Sequence, residues 1–328
     1  MAVRIIHVVT LLLALAAIVF VTTRRDTRVV QHAAPRVHPL ALVPSGPAFV
    51  ASLDLGRIRR TDAGMLLEHA DLGGLIGPSK DCSFDPFRDL DRIVVSSAEA
   101  TEAVPMGPSR SGLALIASGR FRAKQVIECA VARIRSRGGE PTVTTGGSFE
   151  RVSDRRAEGE VAARDGLLVI SDGPYLAAIL RAAEGAEAHA GELERTRDRL
   201  HVELRRTFGR DAPLVTTVIV PAGFVTRTFG EDAAQSPLSS IRSAALRAEV
   251  GERVVIGAFL GCASAEECGK LESFLLETRR DVAPLFEGTE RRLLDAIVIR
   301  RNGERIELRL ELSFAELREL GPMLGLGG

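Results

Sequence analysis

The chain has 328 residues, 45% of them hydrophobic and 26% charged, a globular profile with length enough to bury a core. Its 43 basic and 43 acidic residues cancel, so no long-range field draws it towards nucleic acid or another highly charged surface. With no tryptophan and one tyrosine, Tyr175, it also lacks the material for base- or sugar-stacking platforms.

Lys80, Lys124 and Lys270 are the only lysines. The matching excess of arginine runs the whole length of the chain beside much alanine and glycine, so it reads as GC-rich coding and not as a phosphate site.

The first element is the apolar stretch Ile5–Thr23, IIHVVTLLLALAAIVFVTT, interrupted only by His7 and three threonines. As a helix it would extend about 28 Å, close to the roughly 30 Å hydrocarbon core. We expect residues 1–23 to be an uncleaved anchor whose partner is the lipid bilayer. A signal peptide cut after Ala14-Leu15-Ala16 competes with that reading, but it would leave AIVFV exposed at the new terminus. Residues 24–47 follow as a proline-punctuated linker. Arg24, Arg25, Arg28 and Arg36 lie after the stretch and only Arg4 before it, a bias that by itself keeps the bulk in the cytoplasm.

A first unit is expected over 48–185. It opens with a strand at AFVASLDL. In DCSFDPFRDLDR, Asp81–Arg92, the aspartates lack the spacing of a calcium loop. Asp85 and Pro86 instead predict a capped helical turn, anchored by Phe84 and Phe87 and followed by the strand RIVVSS. The strand LALIASG, a helix from Arg122, a turn at Asp165-Gly166, the strand LLVIS and a helix capped by Asp172 and opening at Pro174 complete the unit. A connecting helix over 186–210 carries a stripe of Leu193, Leu200, Leu204 and Phe208.

The second unit, 211–320, repeats the order. LVTTVIV from Leu214 and VVIGAFLG precede a helix from Ala265, then a two-residue turn at Asn302-Gly303. After it Ile306, Leu308, Leu310 and Leu312 alternate with Glu307, Arg309 and Glu311, the pattern of a strand with one dry and one wet face. That alternation predicts a sheet covered on one side only, in two layers. Ser313 and Glu316 form a capping box, and 321–328 is a tail. The fold class is therefore α+β: an N-terminal transmembrane helix, then two tandem sheet-plus-helix units of similar β-α-β-β-α-β-β-α topology.

Four cysteines bear on the compartment. In GCASAEECGK, Ser264 and Glu267 predict a capping box, which puts Cys268 in the first turn of a helix and Cys262 just before it. A bond there would be a covalent form of the contact that often staples a helix entry, at a Cα separation within disulfide range. Cys82 and Cys129 remain and can pair. On the chain-entropy model their loop of about 48 residues contributes about 4 kcal/mol, and the short loop about 2 kcal/mol. Zinc would need closer ligand spacing. A reactive Cys268 thiolate at the helix start and four inert reduced thiols are the other readings. Structural disulfides are the reading we carry forward, and they persist only in an oxidising compartment.

No other motif carries chemistry. GGLIG from Gly73 and GPSRSG from Gly107 fit neither a P-loop, a dinucleotide fingerprint nor a nucleophile elbow. His7, His32, His38, His69, His189 and His201 are scattered, so no triad can be assembled from sequence. We expect no catalytic, cofactor-binding or metal-binding residue and no cofactor.

The run FDPFRDLDRIVV, the cysteine-bearing helix after LALIASGRF, and DGLLVISDGPYLAAIL together resemble membrane-anchored or secreted proteins of GC-rich delta-proteobacteria, of the myxobacterial type. The resemblance implies a bridge between Cys82 and Cys129 and an envelope location, and no activity. The expectation is a single-pass inner-membrane protein with its bulk in the periplasm, a binding or structural module with an envelope protein as partner and no nucleic acid. An envelope hydrolase with its site between the units, or a cytoplasm-facing tethered protein, is the alternative.

Overall fold

A computed structural model describes residues 37–61, 82–97, 112–156, 159–185, 192–209, 212–221 and 235–320. The expected anchor at Ile5–Thr23, most of the linker, GGLIG, nearly all of GPSRSG and the tail 321–328 lie outside the described residues. Among the described residues no helix is long and apolar enough to cross a membrane.

The first half of the chain supplies β1 (Phe49–Asp54), α1 (Leu55–Ile58), α2 (Pro86–Asp89), β2 (Leu90–Ser97), β3 (Leu113–Gly119), α3 (Ala123–Ser136), β4 (Pro141–Gly146), β5 (Phe149–Asp154), β6 (Glu160–Arg164), β7 (Leu167–Ser171) and α4 (Gly173–Ala183). After α5 (Glu192–Phe208) come β8 (Leu214–Ile219), β9 (Ile241–Val250), β10 (Val254–Cys262), α6 (Ala265–Val282), α7 (Gly288–Ala296), β11 (Val298–Asn302), β12 (Arg305–Leu312) and α8 (Phe314–Leu320).

All the described strands join one antiparallel sheet of 12, in the order β11-β12-β10-β9-β8-β1-β2-β3-β7-β6-β5-β4. Read outward from its centre, β1-β2-β3-β7-β6 on one side matches β8-β9-β10-β12-β11 on the other. The two halves are therefore copies of one topology, with the β4–β5 hairpin added to the first. They meet where β1 pairs with β8, Phe49 opposite Val218 and Leu53 opposite Leu214. Equivalent strands pairing antiparallel is what a two-fold axis through that seam produces.

Side-chain alternation gives the sheet two distinct faces. On one, Leu115 and Ala117 of β3 and Leu168 of β7 pack under α3 with Val126 and Ile127. On the other, Ala114, Ile116, Leu167 and Val169 of the same strands pack under α4 with Leu176, Ile179 and Phe149. The first half is thus three layers deep, which corrects the expected one-sided cover. The physical reason lies in LALIASG and LLVIS, unbroken apolar runs that need burial on both faces.

In the second half the expected alternation holds at the outer strands. Ile306 and Leu312 are buried while Arg305, Glu307, Arg309 and Glu311 are exposed. Here α6 covers one face, and α8, which follows β12 as α4 follows β7, lies on that same face through Phe314, Val254 and Leu312. The topological counterparts α4 and α8 end on opposite faces.

Local signals shift by small amounts. The Ser313–Glu316 capping box forms, with Ser313 N–H donating to Glu316 Oε2 at 2.8 Å and Glu316 N–H donating to Ser313 Oγ at 3.2 Å. The final hairpin turns at Gly303-Glu304, because Asn302 pairs with Arg305 and the positive φ of 61° falls on Gly303. Asp172 occupies the N-cap of α4 without a side-chain bond, and the helix opens at Gly173, one residue before Pro174.

Phe149 sits 1% exposed beneath α4. We expect Phe149→Ala to lower the unfolding free energy by about 3–5 kcal/mol, read from urea denaturation with an unchanged m-value.

Candidate functional site

The seam between β1 and β8 is crossed by α5, whose inward side is polar. The predicted stripe of Leu193, Leu200, Leu204 and Phe208 is replaced by one running through Asp198, His201, Arg205 and Phe208. Leu200 is 40% exposed and His201 only 4%; the side chain of Leu193 lies outside the described residues. The helix turns this way because the sheet beneath it offers hydroxyls and carbonyls: Ser52 of β1, and Thr217 and Val215 of β8.

His201 Nε2 lies 2.9 Å from the Pro47 carbonyl, which can only accept, so Nε2 carries the proton. Nδ1 is then the acceptor for the Thr217 hydroxyl at 2.8 Å. One turn on, Arg205 donates to Ser52 Oγ and reaches the Val215 carbonyl at 3.5 Å. One turn back, Asp198 Oδ1 accepts from Gly46 N–H at 3.0 Å. Gly46 has φ +75°, and a Cβ there would stand 2.6 Å from Glu194 Cγ, so the chain entering β1 passes directly against α5. At the other end, Arg247 donates to the Phe208 carbonyl at 3.0 Å and stacks over the Phe208 ring at 5.0 Å, closing the helix C-terminus. Beside the seam, Tyr175 of α4 donates to Ser96 Oγ of β2 at 3.0 Å.

A histidine within hydrogen-bond reach of a hydroxyl is the geometry of an activated nucleophile. Here Thr217 is 0% exposed, and the second ring nitrogen is held by a backbone carbonyl, not oriented by a carboxylate. The pair clamps α5 across two halves of the sheet. Burial pushes the His201 pKa below its usual value, more than the Pro47 hydrogen bond and the Asp198 charge raise it; Arg205 and Arg197 add to the depression.

The four cysteines form two bridges. Cys82 and Cys129 are bridged at a Cα separation of 4.9 Å, tying the chain ahead of α2 to α3. Cys262 and Cys268 are bridged at 5.5 Å across the entry to α6, with Cys268 packed on Leu271 and Ile306. Ser264 Oγ accepts from Glu267 N–H at 3.2 Å, but the Glu267 carboxylate pairs with Lys270 at 2.9 Å, so the expected capping box there is half formed. Around the first bridge Asp85 caps α2 through Phe87 N–H at 3.0 Å, as its sequence predicts. Burial raises the pKa of both Asp85 and Asp89. Arg59 ties the turn together, donating to the carbonyls of Phe87 and Leu90 and to Asp91 Oδ1 at 2.7 Å.

His38 Nδ1 accepts from Leu40 N–H at 3.3 Å, capping a 3₁₀ turn at Pro39–Leu42. His7, His32, His69 and His189 lie outside the described residues. Among the described residues no three of histidine, cysteine, aspartate and glutamate are grouped to hold a metal ion.

This joined sheet, bound by its central strand pair, has a solved counterpart. The fold resembles that of TP0453. Crystal form III of TP0453 matches with a TM-score of 0.50 at 12% identity, over 89% of this chain and 100% of that one. Form I matches with 0.45 at 13%, over 88% and 98%. Neither half alone amounts to the 89% matched in form III, so the likeness to TP0453 takes in both halves. It is a likeness of fold. No protein-family model and no curated protein matches the chain.

His201 was not singled out by its sequence context. What stands in the sequence is LHVEL, where a histidine replaces an apolar residue at the position of the helix that meets β8.

Two outcomes are expected. A histidine with a depressed folded-state pKa leaves the unfolded chain binding more protons, so stability falls as pH drops below about 6.5. Thermal melts from pH 8 to 5.5 should show this loss, and His201→Gln should flatten it. Among the described residues His38, which burial and Arg92 also depress, contributes a slope of the same sign. Asp85 and Asp89 act at lower pH and with opposite sign. Separately, replacing Cys82 and Cys129 by serine should cost about 4 kcal/mol in urea unfolding, against about 2 kcal/mol for Cys262 and Cys268.

Proposed function

We propose that the protein is an extracytoplasmic module of a cell envelope, held at the inner membrane by Ile5–Thr23 with its bulk in the periplasm. It serves there as a binding or structural part, with an envelope protein as its partner class. The observation that carries the reading is the pairing of all four cysteines, with no free thiol left. Such bonds survive where glutathione and thioredoxin do not reduce them. The fold similarity to TP0453 supports a module of this architecture and brings no activity with it.

Arg24, Arg25, Arg28 and Arg36 favour the opposite orientation, with the bulk tethered in the cytoplasm. The two readings differ in the redox state of one set of thiols. We expect the chain, isolated from membranes and denatured without reductant, to take up no maleimide, and to take up four equivalents after reduction. A phosphatase fused to the C-terminus should be active. Four reactive thiols before reduction, with an inactive phosphatase, would put the bulk in the cytoplasm and end this proposal.

A further inference from the structure

The two outer edges of the sheet are treated differently. At the β11 edge the Ile297 carbonyl accepts from Arg279 Nη1 at 2.7 Å, and Arg300 and Arg301 place charge along the strand. At the other edge, β4 (PTVTTG) has no charge, no proline after its first residue and no break in its register with β5. Its outer side pairs with nothing among the described residues, and Val143 is 52% exposed. Sheets commonly blunt such edges with charge, proline or a bulge, because an open edge is a template for another strand.

The phase of the ladder says which groups face outward. Arg155 N–H donates to the Glu140 carbonyl at 3.2 Å, in line with the pairing of Pro141 with Asp154 and Gly146 with Phe149. Hydrogen bonds to β5 therefore fall at Glu140, Thr142, Thr144 and Gly146. Val143 and Thr145 turn both N–H and C=O away from the sheet, and Pro141 turns only a carbonyl.

We propose that β4 is a self-association edge, at which two copies of this chain pair β4 with β4 antiparallel about a two-fold axis. The register that fits sets Val143 against Thr145 of the second copy and Thr144 against Thr144. All four outward N–H groups of Val143 and Thr145 then meet carbonyls. Sliding to set Val143 against Val143 would place Pro141, which has no N–H, opposite Thr145 and leave that carbonyl unmet. Hydrogen bonding selects the antiparallel sense: a two-fold parallel pair would set identical outward residues level with one another, which the slanted parallel ladder does not allow. The charges beside β4 are mixed at both ends, Arg156 with Glu140 next to Pro141 and Arg164 with Glu184 at the Gly147-Ser148 turn, so neither end repels its antiparallel counterpart with charge of one sign. The chain already joins its own halves in this way at β1 and β8.

The contact is short, so the dimer should depend on concentration. The test uses the full chain in detergent micelles. Sedimentation should give a reversible dimer for the wild type. Val143→Pro removes only an outward N–H, so it should yield a monomer with an unchanged melting temperature. Thr144→Cys, placed on the axis as a non-hydrogen-bonded pair, should form a disulfide-linked dimer under mild oxidant, and Arg300→Cys on the guarded edge should not. A wild type that stays monomeric at the highest attainable concentration overturns the proposal. So does a dimer indifferent to Val143→Pro, or a cross-link at Arg300→Cys and none at Thr144→Cys. Association state and thiol reactivity are separate readouts, so this edge and the compartment stand or fall apart.

Discussion

The pairing of β1 with β8 is the constraint on which the rest of the structure depends. Neither strand is at the edge of anything: each is the innermost strand of its half, and each finds its second neighbour only in the other half. Without that ladder each half would present a bare inner edge, with its row of unmet backbone groups. The polar underside of α5 follows from the same fact. A helix laid across two antiparallel strands of separate origin meets Ser52 from one and Thr217 from the other, and His201 and Arg205 answer them in hydrogen bonds, not by apolar packing. A buried polar network of this kind fixes position more sharply than an apolar contact, since it is costly unless every member is satisfied.

Much of this was legible beforehand. The alternation from Ile306 to Leu312, the turn at Asp165-Gly166, and the caps at Asp85 and Ser313 are local, and each came out where its short-range chemistry put it, while the final turn fell one residue later than Asn302-Gly303. The order of elements in the two halves could likewise be read as a repeated pattern. The merging of those halves into one sheet could not, because β1 and β8 look like any other buried strands; only their partnering distinguishes them. The second cover over the first half was written in LALIASG and LLVIS, whose unbroken apolarity differs from the alternation in β12. The alternation of β12 describes its own half of the sheet and not the other.

The site was the least legible part. The inward side of α5 carries aspartate, histidine and arginine, so the apolar stripe visible in its sequence runs through Leu200, which faces water. Helical periodicity reveals which residues share a side, and a polar sheet surface beneath reverses which side goes in. The cysteines were more tractable, since a disulfide across a helix entry depends on short-range geometry that the spacing of Cys262 and Cys268 already contains.

The seam also sets an order of events. Thr217 and Val50 touch although 167 positions separate them in the chain. A contact so remote carries a large loop-closure cost, and topologies rich in such contacts fold slowly. As the polypeptide emerges from its N-terminus, β1 must wait, one flank bare, until nearly two-thirds of the protein has been made. Any chaperone that attends this chain therefore has a defined window of duty, closing when β8 arrives.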